Sequence, residues 1–422
     1  MPKYKRKKVR KVFKQKHAKN NQNNDIIMSN SKSKKQNIVP ESDIKVVRGA
    51  KLKRKRRITA MLTAVAVICA FCIFMSLILP VSLAENIVNT VSVMGAGSYP
   101  SNISGSTVLD TVSNGSYYYV LSDTNITAFN NSGKKIFSEM HGFANPIMSV
   151  SSTRAIVYDQ GGNNLYVYNL SGQINSLQTE NKIISANISR SGNFAVATHS
   201  DSYTSSVFVY DKNCEQIYVW NSAKNIVNNV LLNSSGKQLA VSTLNAVSGQ
   251  YDSNVLILDF ESPDPLYTLK LDTSVALSLI NSGKGISVIT ADKYKFIHWS
   301  KFTVSDITAS GEINVCCRGK NGTLLVFNRA NDRSDNTVVL VSNKGEKISE
   351  FKLNGIITDI AFTNNRVYYI SENKVSITDK NGVVLRDAPC DYGAVRVSVT
   401  GSNSLALISD KQVSKINIEK EE

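Results

Sequence analysis

The sequence Val375-Ser-Ile-Thr-Asp379-Lys-Asn-Gly382-Val-Val-Leu385 contains the pattern on which the fold prediction depends. A run of alternating apolar and polar residues ends at an Asp, a glycine follows three positions later, and a second apolar run begins directly after it. Because Asp and Asn hydrogen-bond their own backbone and glycine adopts positive φ, this spacing predicts a tight turn between two antiparallel strands.

The same frame occurs at four other places in the chain. Cys214 takes the glycine position in one copy, and Ser342 takes the Asx position in another. The copies are 126–136, 165–174, 207–217 and 338–348. A second turn signature, an apolar run followed by Ser and Asn residues that end in glycine, occurs at 187–196, 231–241 and 279–288, with a weaker copy at 401–407. The two signatures recur in a fixed order, which indicates a repeated unit of two hairpins.

The repeated units start near residues 107, 146, 183, 226, 275, 312, 356 and 394. A period of about 40 residues with four strands per unit is typical of a β-propeller blade. The last unit lacks one strand, and the extended piece Tyr99–Ser104 precedes the first unit. We therefore predict an all-β fold, a closed β-propeller over residues 97–422. Its four-stranded blades number eight, or seven if one start is miscounted, and Tyr99–Ser104 pairs with the strand around Val413–Ile418.

The N-terminal region differs strongly in charge from the rest. Residues 1–57 contain 21 Lys and Arg and three acids, a net charge of +18, whereas the whole chain carries +16. The remainder is therefore nearly neutral, which argues against a nucleic-acid partner for it. Residues 1–57 have almost no aromatic residues and cannot form a core, so we predict a disordered basic tail that lies along anionic lipid headgroups. A docking arm for a cytoplasmic protein or a nucleic acid is the alternative.

The segment from Ile58 to Leu79 contains no charged residue. As a helix it would be about 33 Å long, enough to cross the hydrocarbon layer. Six basic residues at 51–57 precede it, so the positive-inside rule places the N-terminus in the cytoplasm and the C-terminal domain outside the cell. We predict a transmembrane signal anchor over 58–84, in contact with the lipid bilayer, and a linker over 85–96. Cleavage after Ser82-Leu83-Ala84 is the alternative.

The turn signatures resemble those of WD-repeat, YVTN-type and quinoprotein-like propellers, although the Gly-His and Trp-Asp pairs of WD repeats are absent. The arrangement of basic tail, single anchor and propeller resembles a membrane-anchored propeller family of unknown function from clostridial Gram-positive bacteria. That resemblance implies an architecture and a cell-membrane location, and it carries no catalytic residues.

The sequence offers little sign of catalysis. The three histidines after the apolar segment, His141, His199 and His298, fall in different units, and no linear hydrolase or metal motif is present. Asp332 and Asp335 could contact a cation, but a polar loop tip explains them more simply. We expect Cys214, Cys316, Cys317 and Cys390 to act as small buried hydrophobic residues. We therefore predict no catalytic residue, metal or cofactor. A propeller enzyme of hydrolase or quinoprotein-like type, with several acids, His or Lys converging on the central channel, is the alternative.

The long connections between the second and third strands of a blade favour a binding role. They are Thr198–Ser205, Leu244–Ser253 and Asn328–Asn336, and they share one face of a propeller. Their aromatic and charged residues suit a recognition surface for an envelope protein or a wall polymer. These candidate binding residues are Asp201, Tyr203, Tyr251, Asp252, Arg333 and Asp335. The alternative is that the long loops are tolerated insertions.

Overall fold

A computed structural model of the protein describes residues 54–70 and 81–417, except 153, 263, 273, 320, 330, 364–365, 391–392 and 402–403. The chain divides into two compact units, Met1–Leu77 and Ile78–Glu422. In the first unit residues 54–70 form a helix, α1. The predicted tail lies almost wholly outside the described residues, as do residues 71–80 of the predicted anchor. Within the described ranges, no helix has both the length and the apolar character needed to cross a bilayer.

The second unit begins with helix α2 (Val81–Val93), which extends over most of the segment predicted as a linker, and continues as strands. The first half of the strands comprises β1 (Ser101–Asn102), β2 (Val108–Ser113), β3 (Tyr117–Ser122), β4 (Asn125–Asn130), β5 (Lys135–Met140), β6 (Pro146–Val150), β7 (Ala155–Asp159), β8 (Asn164–Asn169), β9 (Gly172–Gln178), β10 (Ile183–Ile188), β11 (Phe194–His199), β12 (Ser205–Tyr210), β13 (Gln216–Ser222), β14 (Ile226–Leu232), β15 (Gln238–Val247) and β16 (Gln250–Asp259). The second half comprises β17 (Tyr267–Lys270), β18 (Ser278–Asn281), β19 (Gly285–Ile289), β20 (Lys293–His298), β21 (Val304–Thr308), β22 (Glu312–Gly319), β23 (Gly322–Arg329), β24 (Asp332–Ser342), β25 (Lys347–Asn354), β26 (Ile357–Phe362), β27 (Arg366–Ser371), β28 (Lys374–Asp379), β29 (Val384–Pro389), β30 (Ala394–Gly401), β31 (Ser404–Ser409) and β32 (Gln412–Asn417).

These strands form eight four-stranded antiparallel sheets in the described part of the chain, which confirms the all-β propeller with eight blades. Blade 1 is β2–β5, and each later blade takes the next four strands up to blade 7, β26–β29. Blade 8 has the order β1-β32-β31-β30, so the strand nearest the N-terminus completes the last sheet. Ser101 pairs with Val413 and Asn102 with Gln412, which confirms the predicted ring closure.

The hydrophobic core lies between the blades. Eight clusters of buried side chains each join two neighbouring blades, and the cluster of Ile103, Val108 and Tyr118 with Ala406, Ile408 and Val413 joins blade 8 to blade 1. The second strands are apolar on both faces because both faces are covered; every residue of β3 is buried. This burial of both faces holds the ring without a second layer.

The predicted turns have the conformation that their residues require. In the first copy of the frame, Asn130 Oδ1 accepts a hydrogen bond from Ser132 N at 3.0 Å, and Gly133 has φ +83°. Cys214, in the glycine position of its copy, also has positive φ, +66°. Side-chain hydrogen bonding and a left-handed residue therefore form the turn, and the residue type at the last position can vary at some energetic cost.

Candidate functional site

The antiparallel order gives each blade two ends with different turns. The turns between strands one and two and between strands three and four lie at one end, which we call the helix face because α2 contacts it. The turns between strands two and three and the blade-to-blade connections lie at the other end, which we call the hairpin face.

Two of the three predicted loops on the hairpin face are not loops. Leu244–Ser253 is a continuous hairpin in which β15 and β16 pair as far as Val247 and Gln250, around a turn at Ser248 and Gly249. Asn328–Asn336 is likewise part of β23 and β24. Strand pairing continues beyond the buried residues in both segments, so the strands extend past the core and project from the face. The third connection, 200–204, is a loop as predicted.

The six predicted binding residues lie on three blades. Asp201 and Tyr203 are exposed in the blade 3 loop, and Tyr251 and Asp252 are exposed at the tip of the adjacent blade 4 hairpin. Arg333 and Asp335 belong to blade 6, where Asp335 forms an ion pair with Lys352 at 2.8 Å between Oδ1 and Nζ. Blades 3 and 4 therefore bring four of the candidates to adjacent positions in the ring, and the blade 6 pair lies separately.

Exposed apolar side chains accompany the candidates on blades 3 to 5. Tyr203 is 46% exposed and Tyr251 58%, and Val247 at the tip of the same hairpin as Tyr251 is 53% exposed. Leu277, in the connection that leads into blade 5, is 58% exposed. Exposed aromatic and aliphatic groups with polar neighbours on one face are typical of protein-binding surfaces. Sequence reasoning missed Val247 and Leu277, although Val247 directly precedes the turn at Ser248 and Gly249.

The inner strands bring a second group of polar residues together. The inner strand of a blade is its first strand along the chain, or β30 in blade 8. In six of the eight described blades this strand has a register irregularity near its start, after Val108, Ile183, Val227, Ile313, Ile357 and Ala394. The residue that follows the irregularity is Asp110 in blade 1, Asp359 in blade 7 and Arg396 in blade 8. Asp359 Oδ2 accepts a hydrogen bond from Val397 N at 2.8 Å, and Arg396 Nη2 donates to Leu109 O at 3.0 Å. These contacts connect blades 7, 8 and 1.

Burial raises the pKa values of both carboxyl groups near Arg396. The pKa of Asp359 rises to about 6, and the positive charge of Arg396 offsets only part of the effect. The pKa of Asp110 is raised for the same reason. A raised pKa means that the folded chain binds a proton that the unfolded chain has released, so this contribution to stability falls as pH rises from about 4 to 6. Sequence reasoning did not identify this cluster, since Asp110 lies 249 residues before Asp359 in the chain and an Asp in a strand gives no local signal.

His141, Cys316 and Cys317 have structural roles. His141 is buried, its Nε2 lies 3.1 Å from Ser122 O, and burial lowers its pKa. Cys316 and Cys317 lie against different interblade clusters, and burial raises the pKa of Cys316 to about 12. Among the described residues, no three His, Cys, Asp or Glu side chains form a group that could hold a metal.

The helix face is occupied along blades 1 to 3 by α2. Glu85 pairs with the guanidinium of Arg154 in blade 2, and Asn89 Oδ1 accepts a hydrogen bond from Leu170 N at 3.1 Å. At the other end of α2, Asn130 Nδ2 donates to Val93 O at 2.8 Å, and Lys134 Nζ donates to Met94 O at 2.7 Å. Because Lys134 meets the free carbonyl groups at the C-terminus of α2, it also interacts favourably with the helix dipole.

A closed ring of eight four-stranded blades defines the class of the protein, a β-propeller. The chain belongs to the family of unknown function DUF5711, whose model matches residues 96–418. No curated protein sequence matches the chain.

Solved propeller structures resemble the fold at low sequence identity. The computationally designed protein Ika8 is 13% identical, with a TM-score of 0.57 over 76% of this chain and 100% of its own. The C-terminal WD40 domain of Sif2 is 10% identical, with a TM-score of 0.54 over 77% of this chain and 100% of its own. BamB from Moraxella catarrhalis is 12% identical, with a TM-score of 0.46 over 73% and 98%. The first two likenesses show the fold and nothing further about function.

Proposed function

We propose that this protein is a non-catalytic binding module, attached to the cell membrane by residues 58–84, whose hairpin face engages a protein or polymer of the cell envelope. The observation that carries the proposal is the projecting hairpin Leu244–Ser253, whose tip exposes Val247 and Tyr251, while Tyr203 is exposed in the corresponding connection of the adjacent blade 3. Aromatic side chains on rigid paired strands lose little conformational entropy when they bind, which suits them to recognition.

Sequence and structure support the membrane attachment in different ways. The basic tail before an uncharged segment favours a cytoplasmic N-terminus and an extracytoplasmic propeller. In the described helix 54–70, apolar side chains are exposed; Met61 is 71% and Val67 67% exposed. The chain then enters the propeller along the helix face, so the hairpin face is the one left open for a partner.

Affinity capture from cell envelopes tests the binding role. The bait is the full chain in mild detergent, as wild type or with both Tyr203→Ser and Tyr251→Ser. The control carries Val383→Ser and Val384→Ser, which remove similarly exposed side chains, 60% and 55%, from the helix face of blade 7. We expect the tyrosine variant to lose its specific partner by about tenfold or more and the control to retain it. Equal capture by all three proteins would refute the proposed surface.

The second candidate function, a propeller enzyme, is favoured by one observation. Asp110 and Asp359 have raised pKa values and lie near the same arginine on the inner strands, the arrangement expected of convergent acid groups. Their contacts to the backbone of neighbouring blades are equally those of a structural joint. We prefer the binding module because the polar atoms of Arg396 and Asp359 already have backbone partners.

A further inference from the structure

Helix α2 is amphipathic in the opposite sense to a normal surface helix. Its polar residues Glu85 and Asn89 face the propeller, and Asn89 is buried. Three of its apolar residues point outward, with Ile87 60%, Val88 41% and Val91 59% exposed, whereas Val93 at its end packs against the core between blades 1 and 2. At about 100° per residue, the outward residues centre on the side of the helix opposite the docked one. Met94, directly after the helix, is 61% exposed and extends the same stripe.

The polar contacts fix α2 in this orientation. Arg154 Nε donates to Glu85 Oε2 at 3.1 Å and Nη1 donates to Lys212 O, so the guanidinium joins α2 to blades 2 and 3. The Arg154 side chain is only 4% exposed. A helix held by a buried ion pair cannot turn its apolar side inward without leaving that arginine unpaired, so the exposed stripe is a stable feature of the fold.

We infer that α2 lies in the interface of a phospholipid bilayer, with Ile87, Val88, Val91 and Met94 inserted and the propeller resting on the surface. This inference rests on the proposed membrane attachment. The sequence before α2 supports a bilayer as the partner of this stripe, because Pro80 alone separates the uncharged segment 58–79 from α2. Interfacial helices bury an apolar side at the boundary of headgroups and acyl chains, which matches this stripe.

Charge next to the helix supports an anionic bilayer. A cleft of about 420 Å³ between α2 and blades 2 and 3 is lined by the cations Arg154, Arg190 and Lys212 and by one acid, Glu85. Because Glu85 pairs with Arg154, two positive charges remain. Gly192 also lines the cleft, and a Cβ added to it would lie 3.2 Å from Lys212 Cβ. The glycine therefore lets the Lys212 side chain lie close to the backbone of blade 3. Basic side chains next to an interfacial helix attract phosphate headgroups.

Lipid-phase quenching tests the inference on the full chain in vesicles of phosphatidylcholine and phosphatidylglycerol. An environment-sensitive fluorophore is placed by genetic-code expansion at position 91, and in separate proteins at 247 on the hairpin face and at 65 in the apolar segment. We expect a nitroxide lipid with its label near the headgroup to lower the emission at 91 by about half or more and to leave 247 unchanged. The double variant Arg190→Gln and Lys212→Gln should weaken quenching at 91 only when phosphatidylglycerol is present.

Two results would overturn the inference. Emission at 91 that responds to aqueous iodide and not to the nitroxide lipid would show an apolar stripe in water. Emission shielded from both quenchers, together with a chemically crosslinked dimer, would show that a second copy covers the stripe. Position 65 separates the two proposals and is read with a nitroxide placed deep in the acyl chains, because the anchor would place it in the hydrocarbon layer. Quenching at 65 by that lipid without quenching at 91 by the headgroup label refutes the interfacial helix alone, and its absence at 65 refutes the membrane anchor.

Discussion

The contact between α2 and the propeller predicts a local and measurable effect of Glu85→Gln. The substitution keeps the shape of the side chain and removes its charge, so Arg154 would remain buried with an unbalanced positive charge. Removing one partner of a buried pair costs about 3–5 kcal/mol. Because Gln still accepts one hydrogen bond and Glu85 is 16% exposed, we expect about 2–3 kcal/mol here. The helix can undock while the blades stay folded, so the cost should appear as undocking.

Hydrogen exchange measured by mass spectrometry on the full chain would detect that undocking. An energy of 2–3 kcal/mol corresponds to about 30- to 150-fold faster exchange in peptides that cover 85–93. Glu350→Gln is the matched control because its ion pair with Lys347 is exposed, 39% and 49%, and such pairs contribute about 0–1 kcal/mol. Unchanged exchange in 85–93, or an equal increase throughout the blades, would refute the reasoning.

Three further predictions concern the ring. Deleting residues 97–105 removes β1 and opens blade 8. In thermal melts this deletion should lower the melting temperature much more than deletion of the hairpin tip 246–251, which holds no core residue; equal decreases would disprove closure by β1. Asp359→Asn should remove the penalty of ionising that carboxyl group. The free energy of unfolding of the variant, minus that of wild type, should therefore increase by about 2–3 kcal/mol between pH 4 and 7 in denaturant titrations. A constant difference would refute the raised pKa. Gly115→Ala should cost about 1 kcal/mol for its positive φ alone, whereas Gly133→Ala should cost more, since the added Cβ would lie 2.7 Å from Ser98 O; equal melting temperatures would contradict this.

Much of the ring could be predicted because its signals are local. The frame from Asn130 to Gly133 encodes its own turn through a side-chain hydrogen bond and a positive φ, and neither depends on distant residues. The last repeat likewise lacks one strand, and the extended piece that contains Ser101 was the one segment left over to supply it.

The features that sequence reasoning missed depend on tertiary partners. Nothing local to Glu85 shows that Arg154 lies opposite it, so α2 read as a linker, and its outward apolar stripe became visible only with the blades in place. The cluster of Asp359 and Arg396 was missed for the same reason, because these residues come together only when blades 7 and 8 pack side by side. The hairpin around Tyr251 read as a loop because its polar residues suggested solvent, although paired strands can also extend into solvent.

In-cell photocrosslinking tests the central claim, that the hairpin face binds an envelope partner, most directly. A photoreactive amino acid is placed at 251 on the hairpin face and, in a separate protein, at 383 on the helix face, two positions with nearly equal exposure, 58% and 60%. The account predicts a discrete adduct of one size from position 251 and none from 383. Adducts from 383 alone, or none from 251 under conditions that label 383, would contradict it.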